Sequence, residues 1–251
     1  MPREIRVYGL DGIPEVQPGD DLNAIIASSL EESGLTLVEG DILVVTHKIV
    51  SKAEGRLVDL ETIKPSTFAE EWAERVEKDP RHVEVVLRES RRIVRQVGGI
   101  LICETRHGFV CANAGVDASN VPGDTIVCLL PIDPDASAQA IRAGLQERYG
   151  VSPAVIITDS FGRPWRRGIV NVAIGIAGMS PFADYRGVTD AYGYDLRVSV
   201  MAVADELACT AELLAGKTDA RPVALIRGYA YTPGEGSAAE MVMESERDLF
   251  R

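Results

Sequence analysis

The sequence predicts an α+β fold of mixed sheets with helices, and three observations point to it. Apolar runs of buried-strand type, such as Asp41–Val45 and Val155–Thr158, are interrupted by segments whose apolar residues recur at helical spacing. Strands and helices alternate only in part, because Gly99 to Pro131 holds several short apolar runs in succession, separated by turn residues. No strand-to-helix junction has G-x-G-x-x-G or G-x-x-x-x-G-K-[ST], which removes a Rossmann site and a P-loop from consideration.

Glu4 to Tyr8 reads as a strand, and Gly9 to Asp21, rich in Gly, Pro and Asp, as a loop. Asp20 or Asp21 caps a helix through about Ser33, with Leu22, Ile25, Ile26 and Leu30 on one face. After the Asp41–Val45 strand, Thr46 to Gly55 reads as a polar loop. Thr67 to Lys78 is helical, and Asp79-Pro80 opens another helix to about Val94. Ile100 to Cys103, Gly108 to Ala112 and Thr125 to Leu130 form a β region. Asp133 to Gly150 is a helix with Pro134 in its first turn and Gly150 as its C-cap. Val155 to Thr158 is a strand, Thr158 to Gly168 a polar loop, and Ile169 to Gly178 an alternating strand or bulged pair. An amphipathic helix over Val198 to Ala215, a strand over Val223 to Arg227 and a helix over Gly236 to Leu249 complete the chain.

The chain has 251 residues, 46% hydrophobic and 25% charged, which is enough to bury a core without disulfides or a structural metal. Its 26 basic and 38 acidic side chains give a net charge of -12, which argues against a nucleic-acid or anionic-membrane partner. No apolar stretch approaches the roughly 20 residues needed to cross a bilayer, and the acidic first segment has no secretory core, so a cytoplasmic location is expected. Cys103, Cys111, Cys128 and Cys209 read as buried thiols of a reducing compartment. His47, His82 and His107 show no zinc spacing. An acidic chain binds anions only where local cations or backbone N–H groups reverse its field.

Three loops that follow buried-type strands could do so. Thr46 to Gly55 places Lys48 and Lys52 four residues apart beside Ser51, a spacing that suits phosphate and equally suits a solvated basic turn. Asn113 to Asn120 places Asp117, Ser119 and Asn120 among small residues; Asp117 offers a hard oxygen to a divalent cation, or closes an Asx-turn with no ligand. Thr158 to Gly168 puts Asp159 and Ser160 at a strand end and groups Arg163, Arg166 and Arg167 around Trp165. Arginine forks match carboxylates and phosphates, so these four residues are expected to contact substrate. Asp205 and Glu206 read as the wet face of a helix or as ion-pair partners, and Gly216-Lys217-Thr218 as its C-terminal cap.

Taken in order, Ile13-Pro14-Glu15-Val16 with Pro18 to Leu22, Ser51 to Gly55, Asn113 to Asn120, Asp159 to Gly168 and Ala204 to Ala208 closely resemble the coenzyme F-420-0:L-glutamate ligase family over nearly the whole chain. The resemblance implies an α+β fold particular to that family and an intertwined homodimer. It also implies a GTP-dependent enzyme that uses Mg or Mn, with a potassium requirement in some members. That enzyme adds L-glutamate to the lactyl carboxylate of a deazaflavin precursor and then to a γ-linked tail, through an acyl phosphate, releasing GDP and phosphate. Asp117, Asp159 and Ser160 match the family's metal positions. Ile13, Pro14, Glu15, Val16, His47, Lys48, Lys52, Asn120 and the stretch from Ala215, Gly216, Lys217 and Thr218 to about Pro222 match its GTP positions. Asp11-Gly12 resembles an insertion before the first of these loops, and Lys217 stands where the archaeal branch has an acidic metal ligand. Residues 1–251 are expected to form one ligase unit, or two intimately packed subdomains, without a fused flavin-binding reductase domain. A metal-dependent phosphatase and a non-catalytic nucleotide- or deazaflavin-binding dimer are the alternatives.

Overall fold

The structure is a computed structural model that describes residues 4–244 and 246–248. Along the chain lie β1 (Arg6–Gly9), α1 (Leu22–Glu32), β2 (Ile42–Thr46), α2 (His47–Ala53), β3 (Leu57–Asp59), α3 (Thr67–Val76) and α4 (Pro80–Arg88). Next come β4 (Ser90–Val97), β5 (Ile100–Thr105), β6 (Val110–Ala112), β7 (Ile126–Cys128), α5 (Pro134–Tyr149), β8 (Ala154–Arg163) and β9 (Arg166–Ala177). The last are β10 (Ala183–Asp184), β11 (Val200–Met201), α6 (Val203–Ala215) and β12 (Val223–Arg227). The α+β class holds.

The main sheet has the order β1-β12-β2-β8-β9 and is antiparallel except for the parallel pair β2 and β8. Its strands are apolar on both faces because each face is covered. On β2, Leu43 and Val45 face α1 and α5 (Ile26, Leu30, Ile141, Leu145), whereas Ile42 and Val44 face α6 (Val203, Leu207, Ala211). A separate core, including Trp72, Val86, Leu101 and Val127, joins α3 and α4 to the small sheets β3-β7 and β4-β5-β6. Among the described residues no helix is long and apolar enough to cross a membrane.

Helix ends follow the local signals. Asp21 accepts from the N–H groups of Asn23 and Ala24, Asp133 accepts from Ala136, and Gly150 closes α5 at φ 70°.

Five expectations are corrected. Thr46 to Gly55 is mostly helix α2; at seven residues it is too short for periodicity to reveal, and burial of Ile49 and Val50 against the main core holds it. The helix begun at Pro80 stops at Arg88, and β-branched Ile93 and Val94 belong to β4, which turns into β5 through Gly98-Gly99, both at positive φ. Thr158 to Gly168 is a hairpin in which β8 runs on to Arg163 and pairs with β9. The helix expected from Val198 starts at Val203, because Val200 and Met201 pair with β10. Of the helix expected over 236–249, the described residues form only a 3-10 turn at Ala238–Met241; Glu240 and Glu244 would have faced each other one turn apart. Ser245 and Leu249 lie outside the described residues.

Candidate active site

Because β2 and β8 are parallel neighbours with Thr46 opposite Thr158, the residues just beyond both partners emerge side by side at the C-terminal end of the pair. Such strand ends are a favoured place for ligands. Thr46 leads into α2, which presents His47, Lys48 and Lys52, while β8 presents Asp159 and Ser160. The loops around Ile13 to Val16, Asp117 to Pro122 and Ala215 to Pro222 close the walls of a cleft of about 730 Å³. The last of these is anchored where Thr46 N–H donates to Pro222 O at 2.8 Å.

Inside the cleft acids and cations are paired. Lys48 Nζ donates to Asp117 Oδ2 at 2.7 Å and to the carbonyl and hydroxyl oxygens of Ser119 at 2.5 and 2.6 Å. Burial works against the Asp117 carboxylate, but the bonds from Lys48 and Ser119 outweigh it and hold its pKa below the usual range. Lys52, only 6% exposed, meets Glu15 at 2.5 Å. His47 Nε2 lies 3.3 Å from Asp159 Oδ1, which also accepts from Ser160 N–H at 2.7 Å. Ser160 Oγ donates to Asn171 Oδ1 at 2.8 Å and accepts from Lys217 Nζ at 2.5 Å.

All the residues matched to metal and GTP positions, Ile13, Pro14, Glu15, Val16, His47, Lys48, Lys52, Asp117, Asn120, Asp159, Ser160, Ala215, Gly216, Lys217 and Thr218, line this one cleft. Arg163, Trp165, Arg166 and Arg167 do not. They occupy the end of the β8–β9 hairpin, where Arg163 Nη2 donates to Arg167 O at 2.8 Å and Trp165 is 87% exposed. Asp205 is not on a wet face: its Oδ1 accepts the Ala173 N–H at 2.8 Å, beside the bulge that shifts register between Ile157 and Thr158.

Asn171 and Glu212 also line the cleft and lie outside the segments that the sequence points to, whereas Arg221 falls within the stretch from Ala215 to about Pro222. Asn171 was legible as the one amide in an otherwise apolar strand, whereas Glu212 had no distinguishing context.

No group of three or more His, Cys, Asp and Glu converges among the described residues. The available donors are hard oxygens, the carboxylates of Asp117 and Asp159 and the Ser160 hydroxyl, and Asp159 Oδ2 has no protein partner among the described residues. Such a sparse oxygen set fits an ion of the Mg or Mn type that keeps several waters and shares phosphate oxygens, and does not fit zinc.

The family model for F420-0:Gamma-glutamyl ligase matches residues 12–228. A Methanothermobacter thermautotrophicus protein named coenzyme F420:L-glutamate ligase is 48% identical over 98% of this chain and 99% of its own length. Proteins of the same name are 47% identical in Methanopyrus kandleri, over 94% of both chains, and 41% identical in Archaeoglobus fulgidus, over 98% of this chain and 96% of theirs. With the match running through every wall of the cleft, this chain belongs to the F420-0:gamma-glutamyl ligase family.

Proposed function

We propose that this chain is a ligase that forms an amide between L-glutamate and a carboxylate of the deazaflavin coenzyme F420 precursor, first the lactyl group and then the γ-linked tail, using GTP. The observation behind this reading is the convergence in one cleft of oxygens from Asp117, Asp159 and Ser160 with the ammonium groups of Lys48, Lys52 and Lys217.

A carboxylate does not react with an amine at neutral pH, because oxide is too poor a leaving group. Transfer of the γ-phosphoryl group to the carboxylate removes that obstacle: a carboxylate oxygen bonds to phosphorus, GDP leaves, and an acyl phosphate results. The glutamate amine then attacks the acyl carbon, phosphate departs with the C–O electron pair, and the amine proton passes to solvent. This chemistry depends mainly on positioning and charge neutralisation. Lys48 and Lys52 exchange their present partners Asp117 and Glu15 for phosphate oxygens, and Lys217 reaches the same wall from the loop after α6. Asp117, Asp159 and Ser160 would hold the Mg or Mn ion, which supplies further neutralisation of phosphate charge when bound. The arginines of the β8–β9 hairpin, outside the cleft, suit the anionic tail of an acceptor that extends beyond it.

A homodimer is part of the proposal. The apolar part of β9 is covered within the chain by α5 and α6, so it does not itself call for a partner. Its support is instead the exposure of Trp165 and Ile169 on one hairpin and of Tyr192, Tyr194 and Val198 between β10 and β11.

The test mixes protein, GTP, Mn, glutamate and purified precursor, and follows precursor mass and GDP together. Precursor mass is expected to rise by glutamyl units only with GTP and metal present. Phosphate release that is indifferent to omission of precursor and glutamate contradicts the ligase and identifies a phosphatase; GTP binding without turnover identifies a binding protein.

A further inference from the structure

The reacting groups of the proposed substrates are anionic with one exception. Nucleotide phosphates, the acceptor carboxylate and the carboxylates of L-glutamate carry negative charge, whereas the α-amino group of L-glutamate arrives as an ammonium. A cation that leaves water for a protein cleft needs an anionic partner there.

Four carboxylates line the cleft among the described residues: Glu15, Asp117, Asp159 and Glu212. Three are engaged. Glu15 accepts from Lys52, Asp117 from Lys48 and Ser119, and Asp159 from the Ser160 N–H. The Glu212 carboxylate makes no hydrogen bond with a described residue. Its ion-pair partner, Lys217 Nζ, stands 3.8 Å from Oε1, beyond hydrogen-bonding distance, and donates instead to Ser160 Oγ at 2.5 Å.

The helix that carries Glu212 does not explain its place. It sits in the last turn of α6, which ends at Ala215, where the negative end of the helix dipole opposes a carboxylate. Its side chain is 28% exposed and forms part of the cleft wall, while the next residue, Leu213, is 82% exposed. When Lys217 turns to phosphate oxygens, Glu212 is left as an unpaired carboxylate on the wall that also holds Ser160.

We infer that Glu212 receives the α-ammonium of L-glutamate and holds its nitrogen on the side of the cleft where the acyl phosphate forms. The ammonium must lose one proton before its nitrogen can attack. That proton passes to the carboxylate it already touches and goes on to solvent once the amide has formed. The proton lost after the N–C bond forms goes to solvent directly.

The inference rests on the ligase reading, and hydroxylamine separates the two. Hydroxylamine is largely uncharged at neutral pH and attacks an acyl phosphate to give a hydroxamate, so it needs neither an anionic partner nor a proton acceptor. Protein, GTP, Mn and purified precursor are mixed with either glutamate or hydroxylamine, and both products are followed by mass spectrometry. Wild type is expected to form both. Glu212→Gln keeps the size and the helix propensity and removes the charge. It should lower kcat/KM for glutamate about a hundredfold, with KM for GTP and the rate of hydroxamate formation near wild type. Glu212→Asp, which keeps the charge, should recover part of the ratio of glutamyl product to hydroxamate. Equal loss of both products in Glu212→Gln, as expected of a carboxylate that merely holds Lys217 or the helix end, overturns the inference and leaves the ligase reading standing. An unchanged ratio, or Gln and Asp variants that behave alike, does the same. A wild type that forms neither product contradicts the ligase reading, and the role of Glu212 with it.

Discussion

Asp159 and Asp205 lie on opposite sides of one strand pair, yet their surroundings give them different work. Asp159 keeps one oxygen for the cleft, whereas Asp205 spends its Oδ1 on the Ala173 N–H at the β9 bulge. Asp159→Asn preserves shape and removes charge, so the fold should survive while metal-dependent turnover falls by about a hundredfold or more. Wild-type turnover with unchanged metal dependence would contradict the site. Burial pushes the Asp205 pKa up, against the Ala173 bond, so the native state retains this proton to higher pH than the unfolded chain. The stability it contributes is full below the unfolded value of about 3.9 and is lost as pH rises through the native value. Asp205→Asn still offers an oxygen to Ala173 and escapes that loss. In urea denaturation it should be at least as stable as wild type at pH 7, with the gap closing as pH is lowered toward about 4. A variant clearly weaker than wild type at pH 7 would show that the carboxylate charge itself is needed there.

At the scale of elements, the main sheet is tied by an ion pair at the edge of β2. Asp41 is fully buried, accepts two bonds from Arg227 at 2.8 and 2.7 Å, and receives the Val38 N–H. Arg227→Met leaves that carboxylate buried with one backbone donor, a loss expected to cost about 3 to 5 kcal/mol. A change below about 1 kcal/mol by chemical denaturation would count against the pair as the tie between β12 and β2. Elements with local signals were legible in the sequence: Asp133, Pro134 and Gly150 bracket α5, and the short apolar run of β12 stands alone between loops. Elements decided by distant contacts were not. α2 is too short to form alone, β4 depends on pairing with β5 across Gly98-Gly99, and β11 removes five residues from the expected start of α6.

At the scale of the molecule, the cleft is assembled from segments up to 200 residues apart, and nothing in any single segment says that they meet. Ordered family motifs made the cleft residues legible as a set; burial of Asn171 and the place of Glu212 at the cleft became visible only with β8 and β9 paired and α6 packed beside them. Exposed aromatic residues on two hairpins, in a chain of net charge -12, lead us to expect a dimer mass by light scattering at micromolar concentration, and a monomeric mass would contradict it. The central claim is that the cleft joins phosphoryl transfer to amide formation on one carboxylate. It is tested most directly with a precursor whose acceptor carboxylate is labelled with ¹⁸O at both oxygens. An acyl phosphate route delivers one labelled oxygen to the phosphate released with the first glutamyl unit and keeps the other in the amide formed there. Unlabelled phosphate, formed while the precursor retains both labelled oxygens, would mean that water and not the acceptor takes the phosphoryl group.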